Sequence, residues 1–155
     1  MKRTVRKGPS LMNILFLLTP KSDCAYVREE DTIRQALERM SAAGFAAVPI
    51  LAKDGTYRGT LTEGDLLWAI KKLYLMDMKE AESHGIMEIQ RRKDNQAVSV
   101  TTPVEDLLTT AVDQNFVPVV DDRGTFIGIV TRKAIMQYCM DTYIFAKRAQ
   151  PVHAG

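Results

Sequence analysis

GTLTEGDLLW, residues 59–68, returns later in the chain as GIVTRKAIMQ, residues 128–137. Gly59 and Thr62 come back as Gly128 and Thr131, whereas Asp65 comes back as Ala134. Upstream, Gly55 and Tyr57 match Gly124 and Phe126, and Val48-Pro49-Ile50 matches Val117-Pro118-Val119, all at one spacing. Further up, Thr32 matches Thr102 at a spacing one residue longer. A fixed period across turn glycines and apolar positions marks an internal repeat, so the chain is two copies of one supersecondary unit.

Each copy reads as strand, helix, strand, strand, helix. In the first, AYVRE (25–29) is a short strand and DTIRQALERMSAAG (31–44) a helix. Asp31 is the N-cap candidate, Ile33, Ala36, Leu37 and Met40 share one face, and Gly44 ends the helix. AAVPIL (46–51) is a buried strand, KDG (53–55) a hairpin turn, YRGTLT (57–62) the returning strand and EGDLLWAIKKLYLM (63–76) the closing helix. The second copy gives AVSV (97–100), PVEDLLTTAVDQN (103–115), FVPVV (116–120), TFIGIVT (125–131) and RKAIMQYCMDTYIFAKR (132–148). The chain then divides into a basic tail with a short docking helix (1–24), a first repeat (25–76), a charged linker with a short helix at GIMEIQRR (77–96), a second repeat (97–149) and a C-terminal tail (150–155).

Two features follow from backbone and burial arguments. Proline sits inside the second strand of both copies and has no N–H to give a ladder, so that strand is expected at a sheet edge or beside a cavity. The closing helices are apolar on nearly every side: Leu66, Leu67, Trp68 and Ile70 run on to Leu73, Tyr74 and Leu75, and Ile135, Met136, Tyr138, Met140, Tyr143, Ile144 and Phe145 repeat the pattern. Such helices are covered from more than one direction, by the opposite half or by a second subunit, and a homodimer is the simplest arrangement.

Composition narrows the function classes. At 155 residues the chain suffices for one domain or two tightly packed halves, and a net charge of +2 is too small to indicate nucleic acid. Two cysteines, Cys24 and Cys139, form neither a disulfide framework nor a zinc set and fit a reducing cytosol, hence a cytoplasmic protein. Lys2, Arg3, Arg6 and Lys7 precede the apolar run 11–18, which imitates a signal peptide. The run is too short to span a bilayer, and it reads as an amphipathic helix behind a basic tail, with Met12 a possible natural start.

Catalytic and metal chemistry find little footing. Glu80 and His84 are four apart on a possible helix face, a spacing that also describes a solvated charged surface; His153 falls in the tail. No nucleophile elbow, phosphate loop or dinucleotide glycine pattern is present. The repeated strand-to-helix junction is what remains. Thr62 and Asp65 can converge on a vicinal diol such as ribose, with helix N–H groups beside them for a phosphate; the same pair can equally be a helix cap. In the second copy Arg132 and Lys133 follow Thr131, and cations at a helix start oppose its dipole, which points to an anion there.

These residues resemble a tandem CBS-domain pair, or Bateman module, over roughly residues 25–138: the duplicated unit, the Val-Pro strand, the turn glycine, and glycine, threonine and acid at Gly59, Thr62 and Asp65. The resemblance implies an α/β (α+β) fold of two β-α-β-β-α repeats packed through their sheets with pseudo-twofold symmetry, commonly dimeric. It also implies adenosine compounds bound in crossed clefts. One cleft would use Val98, Ser99, Val100, Asn115, Phe116 and Val117 closed by Thr62 and Asp65, with the acid on ribose. The other would use Ala25, Tyr26, Phe45, Ala46 and Ala47 closed by Thr131 and Arg132. With threonine followed by basic residues at Thr131, Arg132 and Lys133, this second cleft is similar to stand-alone bacterial CBS-pair proteins that bind cyclic di-AMP, a ligand with no free diol, and Ala134 stands where the family acid would be.

The expectation is therefore a regulatory module without catalytic activity. It takes AMP, ADP, ATP or cyclic di-AMP as a regulatory ligand, needs no cofactor or metal, and signals to an effector protein on another chain rather than to nucleic acid or a membrane. The competing expectation is a dimerisation or protein-interaction module with no ligand.

Overall fold

Thr32, not Asp31, caps the first helix. Its hydroxyl accepts the Gln35 N–H while the Gln35 carboxamide accepts the Thr32 N–H, a reciprocal box serving two donors that no helical carbonyl reaches. Asp31 is drawn away because its buried carboxylate accepts the Arg28 N–H at 2.8 Å and lies 3.5 Å from Arg39. The helix, α1 (Ile33–Ala43), ends at Gly44 in the left-handed conformation, with Ile33, Ala36 and Met40 buried and Leu37 at the margin of the same core. In the second copy Pro103 stands at the corresponding N-cap of α4 (Val104–Asp113), so Thr32 is answered by Pro103 and not by Thr102.

The structure is a computed structural model and describes residues 13–72, 78–91 and 94–149, with backbone alone at Met78. The basic tail through Met12, residues 73–76 of the expected first closing helix (Leu73, Tyr74 and Leu75 included), Arg92 of the expected linker helix and the C-terminal tail with His153 lie outside the described residues.

Each repeat carries a three-strand core sheet. In the first, β2 (Val27–Arg28) runs parallel to β3 (Ala47–Leu51), which pairs antiparallel with β4 (Tyr57–Thr62). In the second, β5 (Val98–Ser99), β6 (Phe116–Val120) and β7 (Phe126–Thr131) repeat the pattern. The hairpins turn at Gly55 and Gly124, whose φ of 89° and 81° suit glycine. The closing helices are α2 (Glu63–Lys72) and α5 (Arg132–Ala149).

Pro49 and Pro118 lie in central strands rather than at an edge. The strand is tolerant because β2 and β5 begin only opposite Ile50 and Val119, one residue past each proline. At Pro49 the space left by the missing strand is part of a cavity, the other arrangement its sequence allowed.

The two sheets meet about a local twofold. Thr56 pairs with Thr125, the Phe126 N–H donates to the Gly55 carbonyl at 3.0 Å, and the image bond runs from the Tyr57 N–H to Gly124 at 3.4 Å. The Tyr57 and Phe126 rings stack across this axis at 6.5 Å.

The segments before each repeat cross over. Residues 13–18, the described part of the expected docking helix, do not form one: Ile14–Phe16 is a single 3-10 turn capped by Asn13, followed by the strand β1 (Thr19–Pro20), which extends the second repeat's sheet by pairing with β7. Asn13 bridges Pro103, and Ile14 is buried in the second repeat's core. The expected linker behaves in the same way. After α3 (Met78–Ser83), Gly85 bridges Thr32, a 3-10 turn spans Ile86–Glu88, and Ile86 and Ile89 enter the first repeat's core. Each repeat is thus strapped by the segment that precedes the other one.

Among the described residues, most of the apolar excess on the closing helices faces outward. On α2, Leu67 and Trp68 are exposed; on α5, Met136, Met140, Tyr143, Ile144 and Phe145 are exposed, and Ile135 alone among the residues of α5 is fully buried. Among the described residues no helix is long and apolar enough to cross a membrane.

Candidate functional site

Thr62 and Thr131 each end a hairpin strand and cap the helix that follows. The Thr62 hydroxyl accepts the Asp65 N–H, and the Asp65 carboxylate accepts the Thr62 N–H, both at 3.0 Å. The Thr131 hydroxyl accepts the Ala134 N–H at 3.1 Å, with no carboxylate to return the bond. Both junctions are caps, and only the first is a closed box. Asp65 is 2% exposed. Arg132 turns from the junction to the end of α4, where its guanidinium donates to the carbonyls of Ala111 and Val112 at 2.9 and 3.4 Å. A cation is favoured at a helix C-terminus, which explains a basic residue at the start of α5 without any anion.

Between the repeats, a cavity of about 310 Å³ opens beside Thr131. Ala25, Phe45, Ala46, Ala47 and Thr131, all expected in the second cleft, line it together. Tyr26 and Arg132 are not among its lining residues; the Tyr26 ring lies under Lys21 at 5.5 Å. Asn115 and Phe116, expected in the other cleft, line this one from the opposite repeat. Thr19, Asp23 and Cys24 enter with the crossed N-terminal segment and were not foreseen. The Cys24 thiol donates back to the carbonyls of Thr19 and Pro20, and burial pushes it up from its ordinary range. The result is a narrow slot with apolar walls, a hydroxyl and a helix start at one end, and one carboxylate, Asp23.

The cleft beside Asp65 has the same frame with other contents. Val27 pairs with Ile50 and Val98 with Val119, so stepping back along each strand sets Ala25 against Gln96. Val98, Ser99 and Val100 therefore stand further along than the positions that wall the open slot: Val98 and Ser99 form β5, and the Val100 N–H is bonded to Val120. Val117 is fully buried in the second core. Around Gln96 the space is taken by polar side chains. The Gln114 carboxamide accepts the Gln96 N–H at 2.7 Å and donates to the carbonyls of Gln96 and Phe116 at 3.2 Å. Asn95 donates to the same Phe116 carbonyl at 3.1 Å.

A further polar cluster ties the second strap to this side. Asp94 accepts the Thr60 N–H at 3.0 Å and takes two bonds from Arg91. Burial works to raise the Asp94 carboxyl, but the Arg91 and Thr60 bonds win and hold it below the usual carboxylate range. The Tyr57 hydroxyl donates to the Asn95 carbonyl at 2.8 Å, and burial pushes its phenol up to about 12. None of Asp94, Asn95 or Gln114 was singled out from the sequence. The available signal was the paired glycines: Gly59 lies against the Asp94 carboxylate and Gly128 against the Thr19 carbonyl, so both mark a strand that another segment crosses.

A larger, open hollow of about 820 Å³ flanks Asp65 between α2 and residues 84–91, with Trp68, Lys71, Lys72 and Arg91 on its walls. His84 there bonds Glu88 at 3.0 Å, and among the described residues no group of three or more His, Cys, Asp or Glu gathers to hold a metal.

A family model described as the CBS domain matches residues 17–72 and again 86–141. The A-adding tRNA nucleotidyltransferase of Aquifex aeolicus (strain VF5) is 31% identical over 114 residues, covering 72% of this chain and 12% of that protein. The chain thus spans about an eighth of the length of this curated relative. Among solved structures, CbpB in complex with c-di-AMP is 23% identical and superposes with a TM-score of 0.76, covering 89% of this chain and 91% of that one. CBSX2 in complex with AMP is 21% identical with a TM-score of 0.62, covering 84% and 98%. At these identities the likeness is one of fold. The chain belongs to the CBS-domain family and holds two copies of the domain.

Proposed function

We propose that this CBS-domain pair is a nucleotide sensor. It binds an adenosine-containing ligand in the slot walled by Ala25, Phe45, Ala46, Ala47 and Thr131, and passes occupancy to a partner protein. The observation that carries the reading is the open cavity between the repeats, of a size and apolar character suited to a nucleobase, ending at a threonine and the start of α5. Structures of like fold have been solved with c-di-AMP and with AMP. Since Ala134 leaves this junction without the diol-reading acid, a cyclic dinucleotide fits it better than AMP. The chain itself needs no catalytic group for this role. The ligand acts by preferring one relative setting of the repeats, or of two subunits, over another.

A second reading has its own observation. The outward apolar faces of α2 and α5 suit a homodimer, and a protein-interaction module that binds no nucleotide would need only those faces.

The two readings separate in a thermal-shift panel of AMP, ADP, ATP, cyclic di-AMP and S-adenosylmethionine. A ligand at a hundred times its dissociation constant stabilises the fold by about 2.7 kcal/mol. Ala47→Phe, which puts a ring where the small Ala47 side chain walls the open slot, is expected to erase the shift while leaving the dimer in place. A wild-type chain indifferent to every compound, yet dimeric, would leave the interaction module as the function.

A further inference from the structure

The open slot and the Asp65 cleft differ at one pair of positions in a way that reveals what each holds. Ala47 corresponds to Phe116 at the head of the paired strands, so Phe45 corresponds to Gln114, two residues before each. Ala25, Phe45 and Ala47 all line the open slot. Their counterparts Gln96, Gln114 and Phe116 are bonded to one another through the Gln114 carboxamide. Gln114 is 5% exposed, whereas Phe45 is 53% exposed and has no hydrogen-bonding group to offer the backbone.

A carboxamide presents two N–H donors beside an oxygen acceptor. The amino group of adenine and the ring nitrogen next to it present donor beside acceptor in the same order. Gln114 uses both N–H donors on two carbonyls and its oxygen on a backbone N–H, so the wall of this cleft is satisfied from within the chain. Asn95 adds a further donor to one of those carbonyls; its counterpart Cys24 is turned back on its own strap instead.

We infer that the Asp65 cleft is a second nucleotide site held shut by an internal stand-in for the base, the Gln114 carboxamide, and that removing the stand-in exposes a site for an adenosine monophosphate. This rests on the reading that the open slot takes a nucleobase. Asp65 remains at the helix start beside Thr62, its carboxylate bonded to the Thr62 N–H, where an exchange of that bond for a ribose diol would engage it. Wild-type chain therefore binds one equivalent of nucleotide, and a chain without the carboxamide binds a second equivalent in the form that carries a free ribose diol.

The test is titration calorimetry with cyclic di-AMP and AMP as separate probes, on wild type, Gln114→Ala, Gln114→Leu and Gln114→Ala combined with Asp65→Ala. Gln114→Leu keeps the volume and removes the bonds, which guards against loss of fold. The expected result is cyclic di-AMP at one per chain in wild type, and in Gln114→Ala an added AMP site that disappears with Asp65. Cyclic di-AMP binding with no gain of AMP in either Gln114 variant overturns the internal stand-in and leaves the sensor reading standing. A gained, Asp65-dependent AMP site in a protein whose wild type ignores cyclic di-AMP supports the stand-in and overturns the sensor reading for the open slot. Wild type is informative by itself: two equivalents of AMP per chain, or rapid hydrogen exchange of the Gln114 side-chain N–H groups, also overturns the inference.

Discussion

Phe45 and Gln114 occupy the same place in two copies of one unit, just ahead of the central strand, and the rest of each cleft follows from them. Where the side chain is a ring, the neighbouring backbone of Ala25 and Ala47 faces a cavity. Where it is a carboxamide, the corresponding backbone is bonded and the side chain is buried. The junction threonines diverge in the opposite sense. The closed cleft keeps the acid, and the open one has lost it. Duplication supplied two equal frames, and small polar substitutions decided which frame has room for a guest.

The sharpest way to break the comparison is at the straps. A Cβ at Gly128 meets the backbone carbonyl of Thr19, which can yield only if β1 leaves the sheet. At Gly59 the obstacle is the Asp94 carboxylate, the end of a rotatable side chain, at 2.5 Å. Gly128→Ala is therefore expected to lower stability in urea by about 3 kcal/mol and Gly59→Ala by about 1 kcal/mol, within the range of overpacking effects. Equal losses would mean that the two straps are held alike.

A smaller effect belongs to the caps. Asp65→Ala opens the reciprocal box and leaves the Thr62 N–H without its carboxylate, costing about 1 kcal/mol. Ala134→Asp offers Thr131 the same box and is expected to return about 0.5 kcal/mol. Denaturation midpoints of the two variants, moving in opposite directions, check the pair.

The gentlest probe is pH. The folded-state acidity of Asp94 is strengthened, so its contribution is fully present above the ordinary aspartate range and is lost as pH falls through its lower, folded value. The protection of the Thr60 amide, the slowing of its exchange relative to a free amide at the same pH, should then fall with acid in wild type and become insensitive to that step in Asp94→Asn. The first strap loosens by no such route, because β1 is held by backbone pairing to Ile129 and Gly128.

The frame of the fold was legible because glycines and prolines encode backbone constraints, and those survive duplication. Gly55, Gly124, Pro49 and Pro118 placed the hairpins and the central strands at the right positions. Of the two places the prolines allowed, a sheet edge or a cavity, the edge does not occur and Pro49 borders a cavity, because β2 and β5 are short, and strand length has no strong local code when packing sets it. The straps were missed because Ile14 belongs to the core of the repeat far from it in sequence and Ile86 to that of the repeat it follows, relations that periodicity within either segment does not carry. At the site, Ala25, Phe45, Ala46, Ala47 and Thr131 came from the family resemblance and lie together. Arg132 did not follow, since a long side chain goes to the nearest unsatisfied acceptors, here the carbonyls ending α4. Val98 to Val100 stand further along their strand than Ala25 does, because the copies differ in length between the first strand and the central one.

The crossing of the straps has a consequence for how the chain acquires its shape. Thr19 finds its partner at Ile129, near the far end of the sequence, so a large part of the ordering entropy is spent before that pairing gives any return. Synthesised from its amino end, the polypeptide must hold β1 idle until β7 has been made, and an excised single half would lack the strap that its own sheet or core requires. Slow, all-or-none acquisition of structure, in place of two independent steps, is what such an exchange imposes.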